Sequence, residues 1–234
     1  METLWLGIDV DGTIAEGEEI LPWTRAVLRQ AREAGVFVIL ASGRRPEYLQ
    51  RISQECGLLS PLVALDGALV EGVDGEVVSR SPMADEDVAA LAAAAHRLGL
   101  TVVKIGDRDE CLKVVVSGAP QRLDQLVTVQ RWPRMRRVNQ FVGSNEWVRA
   151  DCSKGHGFDA LCARYGRPDQ LIVFGNDWND REMFEVADFA YVLPSAPTKL
   201  QAMADQVLPP IQQEPVARVI VDLLTRRARW RQDS

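Results

Sequence analysis

Leu4 to Val10 is a short apolar run, the pattern of a strand buried on both faces. Pro22 opens a helical stretch, at a position where its missing N–H costs little. Val27, Leu28, Ala31 and Ala34 fall on one face of it, and Gly35 suits the position just past its end. Val36 to Leu40 is a second apolar strand. Pro46 opens a helix to about Cys56, and Leu62 to Leu65 reads as a third strand. Apolar strands alternating with amphipathic helices predict a doubly wound α/β core, a parallel sheet with helices on both faces.

Near residue 70 the rhythm changes. Ala84 to Leu98 is an amphipathic helix with Val88, Leu91, Ala92, Ala95 and Leu98 on one stripe. Thr101 to Ile105 and Cys111 to Val116 read as strands joined by the turn signal Gly106-Asp107-Arg108-Asp109. Pro120 opens another helix, and Met135 to Val142 and Glu146 to Ala150 form a second strand pair around Gly143-Ser144-Asn145. This α-β-β-α-β-β order predicts an inserted α+β module at 71–150, between core segments 1–70 and 151–234. The βα rhythm returns with a helix at Gly157–Tyr165, a strand at Leu171–Phe174, a helix at Asp180–Val186, a short strand at Tyr191–Leu193 and a final helix from Pro215 to Arg227. The tail from Arg226 to Ser234 is expected to fray.

Composition narrows the function classes. Twenty-seven basic against thirty-three acidic residues give a net charge of −6, without the basic footprint of a nucleic-acid binder. Four arginines between Arg131 and Arg137 read as a solvated loop or strand end in preference to a dedicated anion site. No run approaches the roughly 18 apolar residues of a membrane span, and Asp9 and Asp11 interrupt the first apolar run, so no leader is expected. Cys56, Cys111, Cys152 and Cys162 form no CxxC pair and no metal-ligand spacing with His96 and His156, which predicts a reduced, cytoplasmic protein.

Four polar clusters carry the candidate chemistry. Asp9-Val10-Asp11-Gly12-Thr13 lies where the first strand ends, the place where open α/β sheets form their sites. Two carboxylates two apart can divide their roles, one attacking or binding a cation, the other exchanging a proton with a leaving group. Ser42-Gly43-Arg44, after the second strand, offers a hydroxyl and backbone N–H groups to an anion. Lys154-Gly155 stands at a helix entrance. Gly175-Asn176-Asp177-Trp178-Asn179-Asp180 follows another apolar strand and supplies the oxygen donors that Mg²⁺ prefers. Taken singly these are a capped turn, a Ser-Gly turn, a solvated lysine and a polar turn. Their order along one chain carries the functional reading.

That order resembles the haloacid dehalogenase superfamily of phosphohydrolases over nearly the whole chain. DVDGT at 9–13, Ser42, Lys154 and GNDWND at 175–180 match its four motifs in sequence. The inserted module is similar to the type IIB cap of the Cof-like subfamily, in compact form, and Leu65-Asp66-Gly67-Ala68 and Met183-Phe184 stand where that subfamily has related residues. The resemblance implies a Mg²⁺-dependent phosphatase acting on a small phosphorylated metabolite, with no nucleic-acid or membrane partner, as a monomer or weak homodimer. Asp9 is the implied nucleophile, forming an aspartyl-phosphate, and Asp11 the implied general acid and base. Ser42 and Lys154 stabilise the transferring group, with Thr13, Gly43, Arg44, Asp66 and Gly67 nearby on the substrate side. The implied metal ligands are Asp9, Asp11 and either Asn176 or Asp177, with Asp180 supporting the metal's water. Two residues depart from the pattern: Asn176 replaces the usual aspartate, and Asp66 the usual asparagine. A phosphomutase on the same core, or an inactive protein that binds a phosphorylated ligand, are the alternative readings.

Overall fold

A computed structural model describes residues 3–106, 109–129 and 131–232, with side chains at 129, 140 and 229–232 left out. Asp107 and Arg108 of the expected turn therefore lie outside the described residues, as do Asp233 and Ser234 of the tail and the side chain of Gln140.

The chain begins with β1 (Leu4–Asp9), a small hairpin of β2 (Ala15–Glu16) and β3 (Glu19–Ile20), α1 (Pro22–Glu33), β4 (Phe37–Ala41), α2 (Pro46–Glu55) and β5 (Leu62–Ala64). Two further strands, β6 (Leu69–Glu71) and β7 (Val77–Arg80), precede the second module. That module comprises α3 (Asp85–Arg97), β8 (Thr101–Ile105), β9 (Lys113–Ser117), α4 (Pro120–Val129), β10 (Met135–Phe141) and β11 (Ser144–Arg149). The chain then forms α5 (Lys154–Tyr165), β12 (Gln170–Gly175), α6 (Arg181–Val186), β13 (Phe189–Val192), α7 (Thr198–Gln201), β14 (Gln206–Val207) and α8 (Pro215–Gln232).

The large sheet runs β14-β13-β12-β1-β4-β5-β6-β7. Its pairs are parallel from β14 to β5, and β6 and β7 extend it antiparallel. Alternation along β1 explains the two-sided burial. Leu4, Leu6 and Ile8 pack with Val27, Leu28, Leu49, Ile52 and Ile220 on one face, whereas Trp5 joins Phe158, Leu161, Met183 and Phe184 on the other. Gly7 sits where Phe158 crosses the sheet: an added Cβ would stand 2.5 Å from that ring.

The second sheet is fully antiparallel, in the order β10-β11-β9-β8. Val114, Val116 and Trp147 on one of its faces bury Val88 and Leu91 of α3 and Leu123 and Leu126 of α4. Leu112 and Val148 pack instead into the cluster of the large sheet.

The structure adds the β2–β3 hairpin, α7 and β14 to the pattern reading, and refines it elsewhere. The chain leaves the large sheet after Arg80, not at 71, because β7 pairs with β6. The helix expected from Gly157 begins at Lys154, because the Ser153 side chain accepts the His156 N–H and caps it. The helix expected from Asp180 starts as a short 3₁₀ turn, Trp178–Asp180, before α6. α8 extends to Gln232, into the stretch expected to fray, and Val216, Ala217 and Ile220 anchor its first turns in the core.

Candidate active site

The parallel strands deliver their C-terminal ends to one edge. Asp9 closes β1, Ser42 follows β4, and the 175–180 turn follows β12. α5 brings Lys154 to the same point from across the sheet. Its ammonium lies 2.6 Å from Asp9 Oδ1 and 2.6 Å from Asp180 Oδ1. Thr13 Oγ1 donates to the other Asp9 oxygen at 2.8 Å. Asp180 Oδ2 accepts the N–H groups of Asn176 and Asp177, at 2.8 and 3.1 Å, so it also shapes the turn that carries it.

Lys154, Asp9 and Asp180 are all buried, so two carboxylates share one ammonium. Burial pushes the Asp9 carboxyl up to about 7; Asp180 adds to the rise, while Lys154 and Thr13 oppose it. Burial alone would lower the Lys154 pKa, but Asp180 and Asp9 outweigh it and hold the ammonium above its usual range.

Asp11 faces a different way. Its Oδ1 accepts Arg44 Nη2 at 2.9 Å and its Oδ2 accepts Ser42 Oγ at 3.2 Å. The Arg44 guanidinium also lies over the Tyr48 ring, 5.1 Å from its centroid. Ser42 is buried, and its Oγ accepts the Arg44 N–H at 3.1 Å. The Asp66 N–H donates to the Ser42 carbonyl at 3.2 Å, tying the two loops together.

Asp66 is held in a conformation that bulky residues avoid, with φ 55° following Leu65 at φ 51°. Such positions cost about 1–3 kcal/mol each and persist where neighbours over-determine them. Here the neighbours are explicit. Lys113 Nζ donates to Asp66 Oδ2 at 2.8 Å and to the Gly43 carbonyl at 2.8 Å, and Asn179 Nδ2 donates to Asp66 Oδ1 at 2.9 Å. Burial acts to raise the Asp66 pKa, but Lys113 and Lys154 reverse it, leaving the carboxyl below its usual value. Glu146 Oε2 takes Lys113 at 2.6 Å and Asn139 Nδ2 at 2.7 Å.

The pattern reading missed the roles of Lys113, Glu146 and Asn179. A lone lysine opening the β-branched run Lys113–Val116 was the available signal for the first.

Two residues expected at the site make structural contacts. Asp177 is exposed, and its Oδ1 accepts the Trp178 N–H at 2.7 Å in a capping box with Asp180. Asn176 lies instead against the Asp9–Thr13 turn: a Cβ on Gly12, at φ 81°, would stand 2.2 Å from Asn176 Nδ2. Gly67, at φ 87°, packs on the Ser153 backbone, where a Cβ would stand 2.0 Å from the carbonyl oxygen. Its part is to let α5 approach.

The donor chemistry fits a hard divalent cation. Among the described residues no three His, Cys, Asp or Glu side chains form a metal cage. The Asp9 carboxylate, the Asn176 amide and nearby backbone carbonyls are oxygen donors, and a small, mostly hydrated cation needs only a few of these. The surplus negative charge of Asp9 and Asp180 over Lys154 favours a cation there.

Comparison with known proteins agrees with this fold. A phosphoglycolate phosphatase of Methanopyrus kandleri is 24% identical over 224 residues, covering 92% of this chain and 95% of that protein. A haloacid dehalogenase-like hydrolase from Bacteroides thetaiotaomicron superposes with a TM-score of 0.86 at 16% identity, covering 95% of this chain and all of the other. A subclass IIB sugar phosphatase of the same superfamily superposes with a TM-score of 0.83 at 17% identity, covering 94% and 99%. The family model for haloacid dehalogenase-like hydrolases matches residues 6–111 and 103–220, and the chain belongs to that family.

Proposed function

We propose that this chain is a Mg²⁺-dependent phosphatase that hydrolyses a phosphomonoester of a small metabolite through an aspartyl-phosphate on Asp9. The observation that carries the reading is the Asp9 carboxylate at the end of the central strand, gripped by Lys154 and Thr13 and backed by Asp180. Relatives named phosphoglycolate phosphatase and sugar phosphatase support a small phosphorylated substrate.

An Asp9 oxygen attacks phosphorus and the ester P–O bond breaks, leaving the phosphoryl group on Asp9. Asp11 gives its proton to the departing oxygen. It then takes a proton from the water that attacks the aspartyl-phosphate, which releases inorganic phosphate and restores Asp9. To do this Asp11 turns from Arg44 toward the phosphoryl group. Lys154 and Ser42 balance charge on the equatorial oxygens. Asp9, the Asp11 carbonyl and Asn176 would hold Mg²⁺, with Asp180 behind them. When bound, the cation neutralises the repulsion between the nucleophile and an anionic phosphate. The second sheet, with α3 and α4, serves as a cap that excludes bulk water and selects the leaving group. Four free cysteines suit a reducing cytoplasm.

The test is release of inorganic phosphate from p-nitrophenyl phosphate, with and without Mg²⁺, alongside trapping of an acyl phosphate by hydroxylamine. Turnover that persists in a metal-chelating buffer, or in Asp9→Asn, overturns the reading.

A further inference from the structure

The polar cluster between the two sheets has more acceptors than donors. Lys113, 1% exposed, uses its three N–H groups on the Gly43 carbonyl, Asp66 and Glu146. It has no donor left for a ligand. Asp66 and Glu146 bring two negative charges to its one positive charge, and the Glu146 side chain is the more open of the two, at 19% exposure against 1%.

This cluster adjoins the phosphate-binding hydroxyl. Gly43 follows Ser42 directly, and a Cβ on Gly43 would stand 3.0 Å from Asp66 Oδ2 and 3.2 Å from Asn139 Nδ2. These side chains therefore form the wall beside Gly43, next to the phosphoryl site.

The arginines of β10 and β11 are paired or placed elsewhere. Arg136 reaches across to Glu182 at 2.7 Å. Arg149 holds Asp151. Arg137 stands opposite Trp147, on the face that α3 and α4 cover. On the core side, Arg44 lies over the Tyr48 ring and holds Asp11 until Asp11 turns to the leaving group.

We propose that Asp66 and Glu146, sharing Lys113, form a charge filter beside the phosphoryl site that admits uncharged, hydroxyl-bearing leaving groups and rejects those carrying a carboxylate. Hydroxyls donate to the more open Glu146 carboxylate, whose other oxygen already accepts Lys113 and Asn139. A carboxylate meets the net negative charge of Asp66 and Glu146, whose one shared cation, Lys113, is already committed to three acceptors, and such juxtaposition discriminates strongly in a dehydrated site. The inference rests on the phosphatase reading above. It also sets this chain apart from the relatives named for phosphoglycolate, whose leaving group carries a carboxylate.

The experiment compares kcat/KM for glycerol 1-phosphate, 2-phosphoglycolate and p-nitrophenyl phosphate in the full-length protein with Mg²⁺, and repeats the comparison in Glu146→Gln. The wild type is expected to favour glycerol 1-phosphate over 2-phosphoglycolate by about tenfold or more. Glu146→Gln is expected to shrink that ratio by about tenfold, by removing one of the two negative charges. Turnover of p-nitrophenyl phosphate with equal or better use of 2-phosphoglycolate by the wild type overturns the filter and leaves the phosphatase reading standing. A ratio unchanged in a folded Glu146→Gln protein also overturns it. Turnover of none of the three esters overturns the phosphatase reading, and the filter with it.

Discussion

Lys113, on the second sheet, reaches Asp66 of the core loop at 2.8 Å, and both side chains are 1% exposed. Removing one partner of a buried pair leaves an uncompensated charge, which costs about 3–5 kcal/mol. Lys113→Met is therefore expected to lower unfolding stability by about that amount, and the double change with Asp66→Asn to recover part of it, since Glu146 also loses its cation. Urea denaturation of the single and double variants measures both. Additive losses would show that the pair is not a coupled unit.

The ionisation of Asp9 predicts a pH effect of definite sign in metal-free protein. Its carboxyl is raised from 3.8 to about 7 in the folded state. Between those values the folded protein binds more protons than the unfolded chain, so this group's contribution is full below 3.8 and is lost as pH rises toward 7. Thermal melts from pH 4 to 7 should show wild type losing stability relative to Asp9→Asn as pH rises. Asp66 acts in the opposite direction. Its lowered value contributes stability above the usual carboxylate pKa, and that contribution is lost only as pH falls below it.

Asp9→Asn is expected to abolish phosphate release while preserving the fold, because the amide keeps the shape of the side chain and loses the nucleophilic oxygen. Phosphate release from saturating p-nitrophenyl phosphate, with circular dichroism as the folding control, checks this. More than a few per cent of wild-type turnover in the folded variant would sink the nucleophile assignment.

Asp11→Asn should depend on the leaving group. General acid help is worth roughly 10²–10⁴-fold, and a good leaving group needs least of it. Single-turnover phosphorylation should therefore fall far more with an alkyl phosphate than with p-nitrophenyl phosphate. Equal losses would count against proton transfer by Asp11.

Asn176 and Asp177 are separable by metal titration. Asn176 lies on the Gly12 turn and Asp177 caps the Trp178 turn. Asn176→Asp should tighten Mg²⁺ binding by adding a charge at the site. Asp177→Ala should leave it nearly unchanged, at a cost of about 0.5–2 kcal/mol in stability from the lost cap. Calorimetric titration reads the affinities. Loss of Mg²⁺ binding in Asp177→Ala would reverse the assignment.

The alternation of Leu4 to Val10, Val36 to Leu40 and Leu171 to Phe174 with helices opened by Pro22, Pro46 and Pro215 is local information. It was enough to place Asp9, Ser42 and the 175–180 turn at strand ends, because a parallel sheet brings all such ends to one edge. Lys154 was legible only through its resemblance to a motif, since the partners of its ammonium stand 145 and 26 residues away.

Which way each side chain turns was not legible. Asn176 and Asp177 are adjacent, both supply oxygen donors, and only the capping geometry around Asp180 sends one outward and leaves the other on the Gly12 turn. Lys113 reads along the chain as a surface lysine opening a strand. Its burial follows from the docking of two sheets that bring together residues 47 positions apart. A charge in that position has no local signature, because the partners that stabilise it come into contact only once the chain has folded.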